Sequence, residues 1–203
     1  MRFVLAAAAA VAVVTGALAV TAGARVATPG RQPGPECGGT LWRLMTLSDA
    51  RRKSVVWSPS PTTVPAIAKL ASPAKISAAR STFFQRHVWK LRAVIERYRV
   101  ASNGELVLEL FDVPSSTYMN AYLPAAVCLP SIARGRTQML AARQSFMSEC
   151  PAPKTQWQLL GATAEMAGVG FWNPVKTTMG ALKNGAELRP LVSLKITQGC
   201  GHF

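Results

Sequence analysis

The chain is expected to be mainly β in an α+β arrangement. The specific expectation is an OB-fold-like five-stranded barrel, with one helix between strands three and four and an N-terminal strand and short-helix extension. Three observations predict this. Residues Val88–Leu123 alternate as an antiparallel meander, one helical stretch follows, and two further β-like runs close the chain. Strand, strand, strand, helix, strand, strand is the OB-fold order. An irregular β-sandwich with one crossover helix fits the same pattern less economically.

Taken in order, residues 1–24 read as a signal peptide. Met1-Arg2 is a basic start, Phe3–Val20 is apolar apart from Thr15 and Gly16, and Ala22-Gly23-Ala24 offers small residues for cleavage before Arg25. An uncleaved membrane anchor is the alternative, since the run is just long enough to span a bilayer. Residues 25–39 are a Pro/Gly-rich linker. The domain is expected over residues 40–198, with 199–203 as a tail. Thr40–Leu47 reads as a short strand, Ser48-Asp49 as a turn, and Arg51-Arg52-Lys53 as a solvated loop. Val64–Leu70 reads as a short helix, capped by Thr62 or Thr63, with Pro65 in its first turn. Ala71–Gln85 has no usable period and is left without an element.

The meander starts with Val88–Val100, where Trp89, Leu91, Ala93 and Ile95 share one face and Lys90 and Arg92 the other. Asn103-Gly104 suits a two-residue hairpin turn. Glu105–Phe111 follows, with Leu106, Leu108 and Leu110 inward, then a break at residues 112–116, then Thr117–Leu123 with Met119, Ala121 and Leu123 inward. Ser131–Cys150 is helical by composition, with Met139, Leu140, Arg143, Phe146 and Met147 on one half-buried face and Pro151 as its stop. Trp157–Val169 is the fourth strand, with Trp157, Leu159, Gly161 and Thr163 on a common face. A glycine-rich loop, residues 170–185, leads to the fifth, Ala186–Ile196.

Charge and cysteines narrow the function. Twenty-three Lys and Arg against nine Asp and Glu give +14, or +13 without residues 1–24, which carry Arg2 and no acid. Such an excess favours anionic partners: nucleic acid, lipid headgroups or wall polymers. Cys37, Cys128, Cys150 and Cys200 are an even set, which in an exported chain suggests two disulfides with three pairings open. The preferred pairing is Cys128–Cys150 across the helix and Cys37–Cys200 between the termini. No CxxC occurs and the histidines are only His87 and His202, so neither a zinc site nor a cofactor is expected.

For catalysis, Glu105, Asp112, Glu187 and Arg189 are the candidates. They supply the residue types of a carboxylate–metal nuclease site with an arginine on the phosphate. The structural alternative is plain charge pairing. Glu105 and Glu109 stand about 13 Å apart on one strand face, wide for a carboxylate pair, and suit cross-strand pairing with Lys90, Arg92 or Arg97. Asp112 suits a turn cap. For binding, Lys90, Arg92, Arg97 and Arg99 interleave with Trp89, Tyr98, Phe111, Tyr118, Tyr122, Phe171 and Trp172, as a stacking platform in an electrostatic groove would. Trp89 and Trp172 are expected in the core, with Tyr118 and Tyr122 as the exposed pair. Lys176, Lys183 and Arg189 lie in or beside the last loop, which an OB-fold closes over its ligand.

The chain resembles a family of uncharacterised small secreted bacterial proteins. That family's second strand reads D-G-D-x-H-L-V-L-x-D, followed by M-I-x-E-x-P-x-x-x-C. Its last loop reads G-V-G-F-F-D and then H-G-Q-x-G-x-A-x-N-x-x-E-L-H-P. Here the matching stretches are Asn103–Asp112, Met119–Pro124 with Cys128, Gly168–Asn173, and Asn184–Pro190. The likeness covers roughly residues 37–194. The family's aspartates and first histidine fall on Asn103, Glu105 and Val107, its later histidine and glutamine on Lys176 and Thr178, and its last histidine on Arg189. Asp112, Asn184, Glu187 and Pro190 keep the family spelling. The resemblance therefore implies a secreted domain in which the family's histidines are lost.

The expected function is an exported, disulfide-bonded, non-enzymatic binding or accessory module for an anionic polymer, such as single-stranded nucleic acid or envelope polysaccharide. The alternatives are a divergent metal-dependent nuclease-like hydrolase and a structural envelope protein that docks a partner protein through residues 71–85. A membrane is expected as partner only if the N-terminal segment stays uncleaved. The expected location is secreted, periplasmic or on the bacterial cell envelope.

Overall fold

A computed structural model of the protein describes residues 36–201. The signal-peptide and anchor readings, most of the Pro/Gly linker and His202 lie outside the described residues. The elements are α1 (Trp42–Met45), β1 (Val56–Pro61), α2 (Val64–Ala68), β2 (His87–Val100), β3 (Leu106–Asp112), β4 (Thr117–Leu123), α3 (Arg136–Glu149), β5 (Gln158–Trp172) and β6 (Ala186–Gln198). The fold is mainly β, with six strands in one sheet ordered β1-β2-β3-β4-β6-β5. Because β2 also pairs with β5, the neighbours run β2–β3–β4–β6–β5 and return to β2.

The length of β2 makes this return path. Its first part, from Val88, pairs antiparallel with β5, and its last part, Val94–Val100, pairs with β3. An irregularity between Ile95 and Arg97 changes the phase: Leu91, Ala93 and Ile95 point inward before it, Tyr98 after it. Leu106, Leu108, Leu110, Met119, Ala121 and Leu123 are buried as expected, and Phe146 of α3 packs on Tyr98 with ring centroids 5.2 Å apart. The hairpin turn differs slightly from expectation. The N–H of Ala101 donates to the carbonyl of Glu105, and only Gly104 has positive φ (75°). That geometry is a three-residue loop.

Several expectations are corrected. Thr40–Leu47 is not a strand but contains the helical turn α1. Leu41, Leu44 and Leu47 recur every third residue, and Thr46 Oγ1 donates to the carbonyl of Trp42. A strand at residues 56–61 was hidden by Pro59 and Pro61, which a strand tolerates only where no ladder donor is needed. β1 lies at the edge, parallel to β2. On β5 the inward residues are Ala162, Ala164 and Met166, while Leu159 is 76% exposed. Small alanines fill a narrow interior there, so the bulky residues mark the wrong face.

The helix is shorter than Ser131–Cys150, and it lies between the fourth and fifth strands of six. Gly135 adopts φ +71° directly before it, and a Cβ there would meet the Trp57 ring at 2.2 Å. The disulfides are Cys37–Cys128 and Cys150–Cys200, with Cα–Cα distances of 5.3 and 4.7 Å, not the expected pairs. Spacing along the chain leaves the pairing open, because each partner is set by which distant segments the fold brings together. The segment without a period, residues 71–85, is held by Arg80. This buried guanidinium donates to Asp49 (3.0 Å) and to the carbonyls of Leu44 (2.7 Å) and Gln85 (3.1 Å).

Candidate functional site

β3, β4 and β6 turn their leucines to the core and their polar residues to the loop of residues 173–185. That loop is clamped over the sheet. Asn120 Nδ2 donates to the carbonyl of Met179 (2.9 Å), and Asn184 Nδ2 donates to the carbonyls of Ile67, Ala68 and Leu70 at the end of α2. Gly180 (φ +76°) lies so close that a Cβ would meet Asn120 Oδ1 at 2.7 Å.

Under the loop, three of the four candidate catalytic residues meet. The turn places Glu105 just before β3, with Asn103 Oδ1 accepting its backbone N–H. Glu187 and Arg189, two apart on β6, share a face. Arg189 donates through Nε to Glu105 (3.0 Å), through Nη2 to the other Glu105 oxygen, and through Nη1 to Glu187 (3.4 Å). Its guanidinium lies 4.2 Å from the Tyr122 ring centroid and 5.7 Å from that of Phe171. Asn173 Nδ2 donates to the second Glu187 oxygen (3.1 Å). Glu105 has no exposed surface, Glu187 3% and Arg189 8%. Tyr122, expected at the surface, is buried under Arg189, because the cation–π contact and the loop cover its ring.

Two carboxylates thus share one guanidinium away from water. Burial pushes the Glu187 carboxyl up to about 7 from an ordinary 4.5, with Arg189 and Asn173 pulling the other way and Glu105 adding to the rise. Burial also raises the Tyr122 hydroxyl, which hydrogen-bonds to Glu187. For Arg189 burial opposes the charge, but Glu105 and Glu187 outweigh it and raise its pKa. The sign for stability follows. Below about pH 4.5 Glu187 is protonated folded and unfolded; between 4.5 and 7 only the folded chain holds the proton. Stability is therefore expected to fall as pH rises through that window, by on the order of 3 kcal/mol. Denaturant midpoints measured across it should slope downward, and Glu187→Gln should remove most of the slope. Glu109, also raised by burial, leaves a remainder of the same sign. A flat wild-type profile would contradict the buried assignment.

The fourth candidate, Asp112, stands apart and caps a turn: its carboxylate accepts from Ser115 N (3.1 Å) and Ser115 Oγ (2.6 Å). Among the described residues, no group of three or more His, Cys, Asp or Glu side chains is placed to hold a metal ion. The candidate binding residues are dispersed over the molecule. Lys90 pairs with Glu165 at 2.9 Å. Arg99 lies 5.1 Å over the Trp157 ring. Arg97 approaches Glu109 at 3.7 Å and Glu96 at 3.8 Å, and Lys176 is exposed on the loop.

Arg92, Tyr118 and Lys183 flank the β3–β4 connection. Tyr118, 37% exposed, packs on its cross-strand partner Phe111 with centroids 4.7 Å apart and planes inclined by 32°. On one side of this pair is a cleft of about 360 Å³ lined by Arg92, Phe111, Asp112 and Thr163. On the other is a cleft of about 320 Å³ lined by Ser116, Tyr118, Leu182 and Lys183. The Phe111–Tyr118 pairing was legible by counting: with Asp112 opposite Thr117 across the turn, Phe111 must face Tyr118. Phe111 belongs to the aromatic set that the sequence interleaves with cations. The buried Asn120 and the half-buried Asn173 were missed because nothing local marks their distant partners.

No protein-family model matches the chain, and no curated protein matches it. Among the described residues, no helix is long and apolar enough to cross a membrane.

Proposed function

We propose that this protein is an exported, OB-like binding module for an anionic polymer, and that it works without catalysis. The circuit of strand pairings supports the OB-like barrel reading, because it runs from β2 through β3, β4, β6 and β5 and returns to β2. Two disulfides support export. The resemblance to small secreted bacterial proteins belongs to the same proposal. The observation that carries the binding reading is the Phe111–Tyr118 pair, partly open to solvent, with Arg92 in the cleft on one side and Lys183 in the cleft on the other. Stacking on aromatic rings with cations along the backbone is how sequence-tolerant polyanion binding works.

The charge distribution adds to this. Four of the nine acids, Asp49, Glu105, Glu109 and Glu187, are buried. Their withdrawal leaves the surface with few acids to offset its lysines and arginines. The nuclease-like alternative has less support, since Asp112 is separate from Glu105 and Glu187, and Arg189 already holds both carboxylates. Docking of a partner through residues 71–85 also has less support, because Arg80 and Gln85 face inward.

Binding of a single-stranded oligonucleotide and of heparin against ionic strength, with and without magnesium or calcium, tests the proposal. The logarithm of affinity should fall linearly with the logarithm of salt. Changing Arg92 and Lys183 together to Ala should flatten the slope by about 1–2 units, and Tyr118→Ala should weaken binding by about 1–3 kcal/mol. Changing the remote Arg51 and Lys53 should leave the slope nearly alone. Equal losses from both double variants would reduce the attraction to diffuse charge and overturn the site. Metal-dependent cleavage would favour the hydrolase reading.

A further inference from the structure

A second face of the molecule has a different chemistry. Between Asp49 and Glu96 the chain carries no acidic residue and nine basic ones. Arg80 is taken up by Asp49 and Lys90 by Glu165. This stretch supplies most of the lining of a cleft of about 280 Å³, formed by Leu70, Thr82, Phe83, Phe84 and Trp89 with Trp172 of β5. Its polar atoms are already engaged: Trp172 Nε1 donates to Thr82 Oγ1 (2.9 Å) and Trp89 Nε1 to the carbonyl of Phe84 (2.9 Å). What the cleft offers is rings and methyl groups.

Phe83 projects from its rim, 62% exposed, and it is held there. Its ring stacks on His87 at 3.8 Å and approaches Trp89 edge-on at 6.0 Å, while His87 Nδ1 contacts the Phe83 carbonyl at 2.9 Å. Leu70 on the same rim is 36% exposed. Basic residues are close along the chain: Lys69 adjoins Leu70, and Arg86, three residues after Phe83, ends the turn that follows it. A sugar would find few hydrogen-bonding partners in such a cleft, and an organic cation would meet like charge. An amphiphile with an anionic headgroup matches both properties.

We propose that this rim is a membrane-contacting face for an anionic phospholipid bilayer. Phe83 and Leu70 enter the interface between headgroups and acyl chains, and Lys69 and Arg86 lie against the lipid phosphates. The charge complementarity of an acid-free stretch with an anionic surface selects this occupant. The face shares no residue with the Phe111–Tyr118 surface, so it stands independently of the polymer-binding proposal.

Sedimentation of the full chain with vesicles tests it, using phosphatidylcholine alone and phosphatidylcholine mixed with phosphatidylglycerol. Binding is expected to the mixed vesicles and to be much weaker with phosphatidylcholine. Changing Lys69 and Arg86 together to Ala should lower it by at least ten-fold, since each cation near an anionic surface contributes about five-fold. Phe83→Lys is the deciding variant. It raises the positive charge while removing the apolar anchor, so insertion predicts roughly ten-fold weaker binding and diffuse attraction predicts tighter binding. Phe83→Trp should bind as well as the parent. Because Phe83 is exposed, these variants should keep the parent melting temperature. Unchanged or tighter binding by Phe83→Lys, or equal binding to both vesicle types, would overturn the proposal.

Discussion

Replacing Arg189 with Met is expected to destabilise the protein by about 3–5 kcal/mol. Methionine roughly matches the volume, so the loss is electrostatic in origin. Glu105 and Glu187 are buried, and Arg189 is the cation that donates to both. Without it, Glu105 retains Asn103, and Glu187 retains Asn173 and the Tyr122 hydroxyl, all neutral groups. An uncompensated buried carboxylate must protonate or draw in water, and either costs folding free energy. Two readouts follow. The urea midpoint should drop with the slope unchanged, and the deficit should shrink on acidification because protonated carboxyls need no cation. Replacing Glu105, Glu187 and Arg189 together by leucine should recover much of the loss, as apolar substitutes for buried ion clusters commonly do. A single variant as stable as the parent would show that water reaches the cluster.

Opening the Cys37–Cys128 link, by serine at both positions, should cost a comparable amount. The two cysteines are 91 residues apart, and Cys150 and Cys200 are 50 apart. On the chain-entropy account, loops of these lengths contribute about 4–5 kcal/mol each by restricting the unfolded chain. The dependence on length is logarithmic, so the longer loop has only a small advantage. The Cys37–Cys128 link should still matter differently. It joins the start of the described chain to the 3₁₀ turn before α3, where Trp42, Ala125 and Cys128 form a small cluster of their own. Its loss should free residues 36–45 first, visible as faster amide exchange in α1 than in β2. Peptide mapping without reduction should recover Cys37 joined to Cys128 and Cys150 joined to Cys200. A Cys128–Cys150 peptide would contradict the fold, in which each of these cysteines is bonded to another partner.

Much of the candidate site was legible in local pattern. Glu187 and Arg189 share a face because alternate residues of a strand must do so. The Asp112 cap and the Thr63 cap of α2 follow from short polar side chains at element starts. The convergence of Glu105 with Glu187 and Arg189 was not legible, since 84 residues separate Glu105 from Arg189 and their meeting depends on β4 lying between β3 and β6. The exposure of Tyr122 was misjudged for the same reason. A strand face opposite the core normally meets water, but here the loop of residues 173–185 covers it.

The amino-acid sequence by itself determined the meander. Period-two leucines, the Asn103-Gly104 turn and the break at residues 112–116 place β2, β3 and β4 to within a residue or so, because each signal acts over a few neighbours. Its even set of four cysteines suggested two disulfides, but the expected Cys37–Cys200 tie between the termini and the Cys128–Cys150 pair are both replaced. Only the tertiary structure decided which cysteines meet. It likewise decided which arginines are structural: Arg80, Arg134, Arg143 and Arg189 donate to buried acceptors or backbone carbonyls, and nothing beside them in the chain distinguishes them from solvated cations. Hydrophobic periodicity is a local property, whereas the partner of a buried charge is chosen by whichever strand the fold sets opposite it.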